Sequence, residues 1–204
     1  MLFRSEVGSG LPEELASHWT ALQSTNRLNA LVLDLRFAGG QDYPAAAQAA
    51  DLFVRGEKPL LTWADTVMRS TGKAESFLPL TILVNGETGG AAEAMAAALR
   101  ESGTALVIGS PTSGQAYVYR EFPLAGRTLR VAATPVETGK GQSLKGGVKP
   151  DIETRMPIAQ ERAVYAEPFV TLPADAVRSN RPRMTEAELV RRRQIGRASC
   201  RERV

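Results

Sequence analysis

The chain has 204 residues, of which 43% are hydrophobic and 23% charged, and its formal net charge is +3. This charge comes from the two ends: residues 1–5 and 194–204 hold four arginines and one glutamate, and without them 21 basic and 21 acidic residues remain. A balanced chain gives no reason to expect nucleic acid or an anionic membrane as partner, because those partners need a clustered basic face. The lone cysteine, Cys200, cannot form an internal disulfide or a cysteine metal site.

Both ends of the chain look foreign to it. Residues 2–5 read LFRS and residues 194–204 read QIGRASCRERV, without a hydrophobic period. The two can be encoded by opposite strands of one sequencing adapter, so we interpret residues 1–5 and 194–204 as adapter-like scars and exclude them from the fold. We divide the remainder into a domain over 6–155 and a proline-containing tail with a charged helix over 156–193.

Hydrophobic patterns predict alternating helices and strands through most of the domain. Leu15, Trp19 and Leu22 share one face of an amphipathic helix whose first turn carries a proline and acids. Apolar runs such as LNALVLDL and LPLTILV are typical of strands buried on both sides in a parallel sheet. The predicted order is helix 12–23, strand 28–35, helix 43–54, strand 60–63, strand 78–84, helix 90–101, strand 105–108 and a hairpin of 117–122 with 128–133.

Two stretches are predicted to be irregular. One is the polar connection between Trp63 and Ser76, and the other follows Pro150 until a charged helix over 185–193. The alternation elsewhere predicts an α/β layered core with the hairpin as a later addition.

Four motifs occur in a fixed order along the domain. They are LVLDLRFAGG at 31–40, LVNGETGGAAEAMAAAL at 83–99, ALVIGSPTSGQ at 105–115 and GGVKPDI at 146–152. Together they resemble the tail-specific, or carboxy-terminal processing, serine peptidases of family S41. The resemblance implies an α/β fold, the ClpP/crotonase-like layered core with a small added β-hairpin. It also implies a bacterial periplasm or cell envelope as the setting, and the PDZ module of the family is not seen in this chain.

The family cleaves peptide bonds with a serine nucleophile and a lysine base, and neither is present here. When the motifs are aligned, the nucleophile position falls on Gly90 and the base position on Gln115. Glycine has no side chain to acylate, and an amide does not accept a proton at working pH. Glu101 stands where the family often has an acid beside the dyad. We therefore expect no catalytic residue, with Gly90 and Gln115 as degenerate positions.

The part of the site that binds a carbonyl is predicted to persist. The resemblance implies an oxyanion hole built from backbone N–H groups of Gly39, Gly40 and Ala91, and Thr88 adds a further substrate-binding residue in the same turn. Free amides at a helix N-terminus attract a carbonyl oxygen or a carboxylate. The expected function is a noncatalytic pseudopeptidase that binds or scaffolds a peptide or protein C-terminus.

One alternative is an active serine-type endopeptidase with a displaced nucleophile. Thr88 and Ser113 are the candidates, although we expect Thr88 to be a helix N-cap and Ser113 a turn residue. Lys140 and Lys145 lie in glycine-rich loops, where a lysine keeps too high a pKa to act as base. His18 lies on the first helix, far along the chain from the other candidates, so a Ser-His-Asp triad has little support.

A second alternative is a carrier of a small apolar ligand, because the retinoid-binding proteins of the eye are built from related domains. Gly89 and Gly90 also fit a helix that only packs closely on a sheet. No cofactor is expected, since the scattered acids have no metal-ligand spacing. Neither nucleic acid nor a membrane span is expected, and the sequence does not give the oligomeric state.

Overall fold

The computed structural model of the chain describes residues 7–25, 27–74 and 78–167. The chain divides into two compact units, Met1–Arg155 and Met156–Val204. The two adapter-like ends and the charged helix predicted at 185–193 lie outside the described residues.

Helices and strands alternate through the first unit. The helices are α1 (Leu11–Thr25), α2 (Tyr43–Asp51) and α3 (Gly90–Glu101), and the second unit contains α4 (Ile158–Ala166). The strands are β1 (Leu31–Asp34), β2 (Pro59–Trp63), β3 (Thr66–Arg69), β4 (Leu80–Val84), β5 (Ala105–Gly109), β6 (Tyr117–Leu124), β7 (Arg127–Pro135), β8 (Glu137–Thr138) and β9 (Ile152–Glu153).

The main sheet is parallel and has the strand order β1-β4-β5-β9. In the central strand β4, Leu80, Ile82 and Val84 are buried and the residues between them are half-buried, which explains why its sequence is apolar without a polar alternation. Because the strands are parallel, their carboxyl ends lie at one edge of the sheet. The segments that follow β1, β4 and β5 therefore meet at that edge.

Alanine makes close helix packing possible beside this sheet. Helices α2 and α3 pack against each other, and nearly all of their alanines are fully buried. Small side chains let the two backbones approach, while Met95 and Leu99 fill the remaining core volume. Helix α1 packs on α2, and the ring of Trp19 meets Phe53 edge-on with centroids 6.4 Å apart.

Two smaller antiparallel sheets complete the first unit. The predicted hairpin is confirmed as β6 paired with β7, and β3-β2-β8 forms the other sheet. The prediction of an irregular connection after Trp63 was wrong, because β3 turns back on β2 through Ala64 with φ +47°. Strand β3 is mostly exposed, so its sequence lacks the apolar alternation that indicates a strand. Helix α4 was likewise not predicted, since it carries little apolar surface to bury.

We expect Ile82→Ala to lower the free energy of unfolding by roughly 2–5 kcal/mol, because it leaves a cavity at a fully buried position of the central strand. Urea unfolding followed by circular dichroism measures this change. Leu106→Ala in the neighbouring strand is the matched control, since Leu106 is 42% exposed and its loss should cost less than about 1 kcal/mol. Equal losses in the two variants would contradict the proposed arrangement of the core.

Candidate functional site

Asn85 connects the segments that follow β1 and β4. Its side chain is fully buried, and its amide oxygen accepts N–H groups from Phe37 at 3.2 Å, Glu87 at 3.1 Å and Thr88 at 3.1 Å. A side-chain oxygen that follows a strand can satisfy several main-chain donors that would otherwise be buried without partners. Asn85 therefore fixes the turn that precedes α3 against the turn that follows β1.

Thr88 lies inside this connection. Its hydroxyl donates to the carbonyl of Leu35 at 2.8 Å and accepts the N–H of Asn85 at 3.0 Å, and the residue has no exposed surface. The prediction of an N-cap role for Thr88 was wrong, because the N-cap of α3 is Gly89 and receives no side-chain hydrogen bond. A hydroxyl that already donates its proton to a buried carbonyl is poorly placed to attack a substrate.

The first residues of α3 contact the Gly39–Gly40 turn directly. The N–H of Ala91 donates to the carbonyl of Gly40 at 2.9 Å, and the N–H of Gly89 donates to the carbonyl of Ala38 at 3.0 Å. Gly90 has φ +56°, and a Cβ atom there would overlap the carbonyl oxygen of Gly40. The main chain of Gly40 thus fills the space above Gly90, and one predicted oxyanion donor already has an acceptor from the protein itself.

The Gly39–Gly40 turn is also held on its other side. The N–H of Val7 donates to the carbonyl of Gly39 at 2.9 Å, and Val7 forms a parallel bridge with Gly40. Gly40 has φ +120°, and a Cβ atom there would overlap the carbonyl of Val7, so only glycine fits. At Gly39 a Cβ atom would meet nothing within 4 Å, which leaves open space beside the turn.

A buried carboxylate binds the loop after β5 to α3. Glu93 accepts the N–H of Gly114 at 2.9 Å, the N–H of Gln115 at 3.0 Å and the hydroxyl proton of Thr112. The Thr112 hydroxyl in turn accepts the N–H of Val148 at 2.7 Å. These bonds fix the loop over 112–115 beside the first turn of α3 and tie it to the segment that leads into β9.

Burial raises the pKa of the Glu93 carboxyl above its ordinary value of 4.5, and the hydrogen bonds from Thr112, Gly114 and Gln115 act in the opposite direction. Burial disfavours the charged carboxylate, whereas donors aimed at its oxygens favour it. Because the pKa lies above the ordinary value, the desolvation outweighs the donors.

The loop held by Glu93 carries the two remaining predicted positions. Gln115 has its main chain in this network, but its side chain is exposed. The N–H of Ser113 donates to the carbonyl of Thr88 at 2.9 Å, and a Cβ atom on Gly89 would lie 2.5 Å from the Ser113 hydroxyl oxygen. That buried hydroxyl has no hydrogen-bond partner among the described residues. Of the two displaced candidates, Thr88 and Ser113, only Ser113 has a hydroxyl without a hydrogen-bond acceptor among the described residues.

The predicted alternative bases are not assembled around this turn. Lys140 and Lys145 are exposed, and His18 lies on α1 beside β1. Glu101 ends α3, at the opposite end of the helix from Gly90, and accepts the main-chain N–H of Lys140 at 2.7 Å. Contrary to the expectation, Glu101 does not lie beside Gly90, and the acid that accepts the main-chain N–H of Gln115 is Glu93.

An apolar cavity lies between α1 and β1, lined in part by Leu15, Trp19, Leu22 and Phe53. Its volume is about 140 Å³, whereas small-molecule sites usually measure roughly 300–1,000 Å³. The cavity gives no support to the alternative of an apolar ligand carrier. In the described part of the chain, no group of three or more His, Cys, Asp or Glu is placed to hold a metal ion. No helix there is long and apolar enough to cross a bilayer.

The sequence profile of peptidase family S41 matches residues 5–154. The chain belongs to peptidase family S41. It is 30% identical over 149 residues to a carboxy-terminal-processing protease of Bartonella bacilliformis, which covers 69% of this chain and 34% of that protein. A chloroplastic C-terminal processing peptidase of Tetradesmus obliquus is 32% identical over 130 residues, which cover 60% of this chain and 28% of that protein. This S41 chain thus spans about a third of the length of the curated relatives it matches.

Solved structures share the fold of this S41 domain. The photosystem II D1 C-terminal processing protease matches with a TM-score of 0.64 and 28% identity, over 73% of this chain and 40% of that chain. Mature CPAF complexed with lactacystin matches with a TM-score of 0.60, over 70% of this chain and 42% of that chain. Its sequence is only 13% identical, so this match shows the fold alone. The predicted fold class, an α/β layered core of the ClpP/crotonase type, is confirmed.

No role was predicted for the side chains of Asn85, Glu93 and Thr112, which fix the turns and the loop of this site. Glu93 did carry a signal, because it is the one acid within an otherwise apolar face of an alanine-rich helix. A carboxyl at such a position must find donors when the face is buried. The identity of those donors depends on the loop that packs against the helix.

We expect the pH dependence of stability to identify Glu93. Its raised pKa means that the folded protein binds the proton more tightly than the unfolded chain, so its contribution to stability is complete below about pH 4.5 and is lost as pH rises through the folded pKa. Urea unfolding across a pH series should therefore show that the natural protein loses stability relative to Glu93→Gln as pH rises. A difference in unfolding free energy between the two proteins that stays constant across the pH series would contradict the raised pKa.

Proposed function

We propose that this S41 domain is noncatalytic and binds a polypeptide carboxyl terminus at the Gly39–Gly40 turn and the start of α3. The observation that carries the proposal is the position of the Gly40 carbonyl, which lies over Gly90 and accepts the N–H of Ala91. A serine side chain at position 90 would need that same volume. Closure of the turn and catalysis therefore exclude each other in this arrangement.

Within the described part of the chain, no base lies beside the candidate nucleophiles, which supports the same conclusion. The Gln115 amide is exposed and does not accept a proton at neutral pH. The Thr88 hydroxyl is committed to Leu35, and Ser113 has a buried hydroxyl without a base beside it among the described residues. Serine attacks a carbonyl only when a neighbouring group takes its proton. The active-peptidase alternative therefore depends on Ser113 alone.

Binding is proposed to proceed by exchange of acceptors. The Gly40 carbonyl occupies the position at Ala91 that a ligand oxygen would take, so a terminal carboxylate replaces it and contacts the N-terminus of α3. A carboxylate is stabilised more strongly there than a neutral carbonyl, because the helix dipole favours anions at the N-terminus of the helix. The open space beside Gly39 admits the ligand, and Thr88 supports the turn from the buried side.

The relatives favour a polypeptide terminus as the ligand. Their names describe proteases and peptidases that process carboxyl termini. A domain that keeps their binding scaffold and lacks the reacting groups is proposed to hold such a terminus without cutting it.

We expect no cleavage of casein by the natural protein during a long incubation, because neither candidate nucleophile, Thr88 or Ser113, has a base beside its hydroxyl among the described residues. Gel electrophoresis with a protease-free blank measures the loss of intact substrate. Ser113→Ala is compared with Ser110→Ala, a matched change in the same loop. Cleavage that Ser113→Ala abolishes and Ser110→Ala retains would overturn the noncatalytic assignment and identify the displaced nucleophile.

We expect labelled peptides with a free terminal carboxylate to bind more tightly than the same peptides with an amidated terminus. Fluorescence anisotropy measures both affinities. Gly39→Leu places a side chain in the open space beside the turn and should weaken carboxylate binding at least about tenfold, or about 1.4 kcal/mol. Gly10→Leu is the matched control, since a Cβ atom there is also tolerated, with its nearest contact at 3.7 Å. Equal affinity for both termini would refute the proposed site.

A further inference from the structure

The β6–β7 hairpin has one apolar face. Its strands pair Arg120 with Val131, Phe122 with Leu129 and Leu124 with Arg127. Because side chains alternate along a strand and directly paired residues share a side, these six side chains lie on the same face of the hairpin. We call this set the hairpin face: Arg120, Phe122, Leu124, Arg127, Leu129 and Val131.

The four apolar side chains of the hairpin face are uncovered. Phe122 is 48% exposed, Leu124 62%, Leu129 48% and Val131 41%. Val118, two residues before Arg120 on β6, still packs against the core, and the four apolar side chains of the hairpin face are exposed beyond it. A contiguous exposed apolar surface of this kind marks an interaction site more often than isolated exposed residues do.

The two faces of the hairpin differ in charge. On the opposite face, Glu121 forms an ion pair with Arg130 at 3.3 Å, and the Arg130 guanidinium lies 4.8 Å from the centre of the Tyr119 ring. The hairpin face holds Arg120 and Arg127 and no carboxylate. A covering surface that supplied carboxylates would complement it, whereas a second copy of the same face would bring arginines together.

The edges of the hairpin favour a polypeptide over a lipid surface. Within the described residues, β6 and β7 pair only with each other, so each strand has one unpaired edge. Such an edge presents a regular series of N–H and carbonyl groups that an extended chain can pair with. Lipid headgroups offer no matching series.

We propose that the hairpin face is a docking surface for a polypeptide segment that presents apolar side chains next to carboxylates. The segment lies across Phe122 and Leu129, and its carboxylates meet Arg120 and Arg127. This surface is separate from the turn at Gly39–Gly40, and the proposal does not depend on peptide binding there.

Two labelled peptides test the proposal on the full chain by fluorescence anisotropy. One is a short extended peptide in which valine and glutamate alternate, and the other carries glutamine in place of glutamate. We expect the glutamate peptide to bind more tightly, with an advantage that shrinks as salt is added, because the charges are exposed. Phe122→Ser combined with Leu129→Ser should weaken binding roughly tenfold or more, since central apolar contacts carry most of the energy of an interface.

A second set of variants tests whether the arginines of the hairpin face are needed to bind the glutamate peptide. Arg120→Ser combined with Arg127→Ser should remove the preference for the glutamate peptide, whereas Arg130→Ser, on the opposite face, should retain it. All substituted side chains are exposed, and circular dichroism with urea unfolding verifies that the variants remain folded.

Three results would overturn the proposal. The first is unchanged affinity in the Phe122→Ser/Leu129→Ser variant. The second is a dimer of the natural chain in sedimentation equilibrium that this variant converts to monomer, which would assign the face to a second copy. The third is flotation with phosphatidylserine vesicles that the variant abolishes, which would assign it to a membrane.

Discussion

The buried carboxylate of Glu93 is the constraint on which the site region depends. A carboxyl group without contact to water must be surrounded by donors, and here Gly114, Gln115 and the Thr112 hydroxyl supply them. The Thr112 hydroxyl also accepts the N–H of Val148, which precedes the last strand of the sheet. One side chain thus joins a helix, a loop and the end of the parallel sheet.

Glycine at position 90 determines how closely two turns approach each other. With no Cβ atom, the carbonyl of Gly40 can approach Gly90 and bind the N–H of Ala91. Any other residue there would keep the two turns apart, because its Cβ atom would occupy the place of the carbonyl oxygen. The closed turn therefore depends on glycine at position 90.

The parallel sheet and the hairpin offer two different kinds of surface. At the carboxyl edge of the sheet, the N-terminus of α3 meets the main chain of the Gly39–Gly40 turn, and the N–H of Ala91 bonds to a single carbonyl oxygen. The hairpin, in contrast, presents a strip of side chains and two strand edges that suit an extended segment. Neither of the two proposed binding surfaces requires a reacting group.

The fold class could be predicted because its signals are local. Apolar strands such as β4 and alanine-rich helices such as α3 can be recognised from a few consecutive residues. Helix α3 begins and ends at the residues that the sequence pattern predicts. Strand β3 could not be predicted, because its mostly exposed residues have no apolar period. It is a strand because its main chain pairs with β2. The role given to Glu101 failed for a related reason: position along a helix does not tell which loop packs against it.

By itself the sequence determined the family and the layered core, and it has glycine at 90 and glutamine at 115, the positions that the resemblance aligns with the reacting groups of the family. Those facts are written in residue types and their spacing. Only the tertiary structure decided that Gly40 closes over Gly90, that Glu93 rather than Glu101 holds the loop, and that four apolar side chains of the hairpin remain uncovered. Each of these depends on contacts between segments far apart along the chain, and such contacts are fixed by packing in three dimensions.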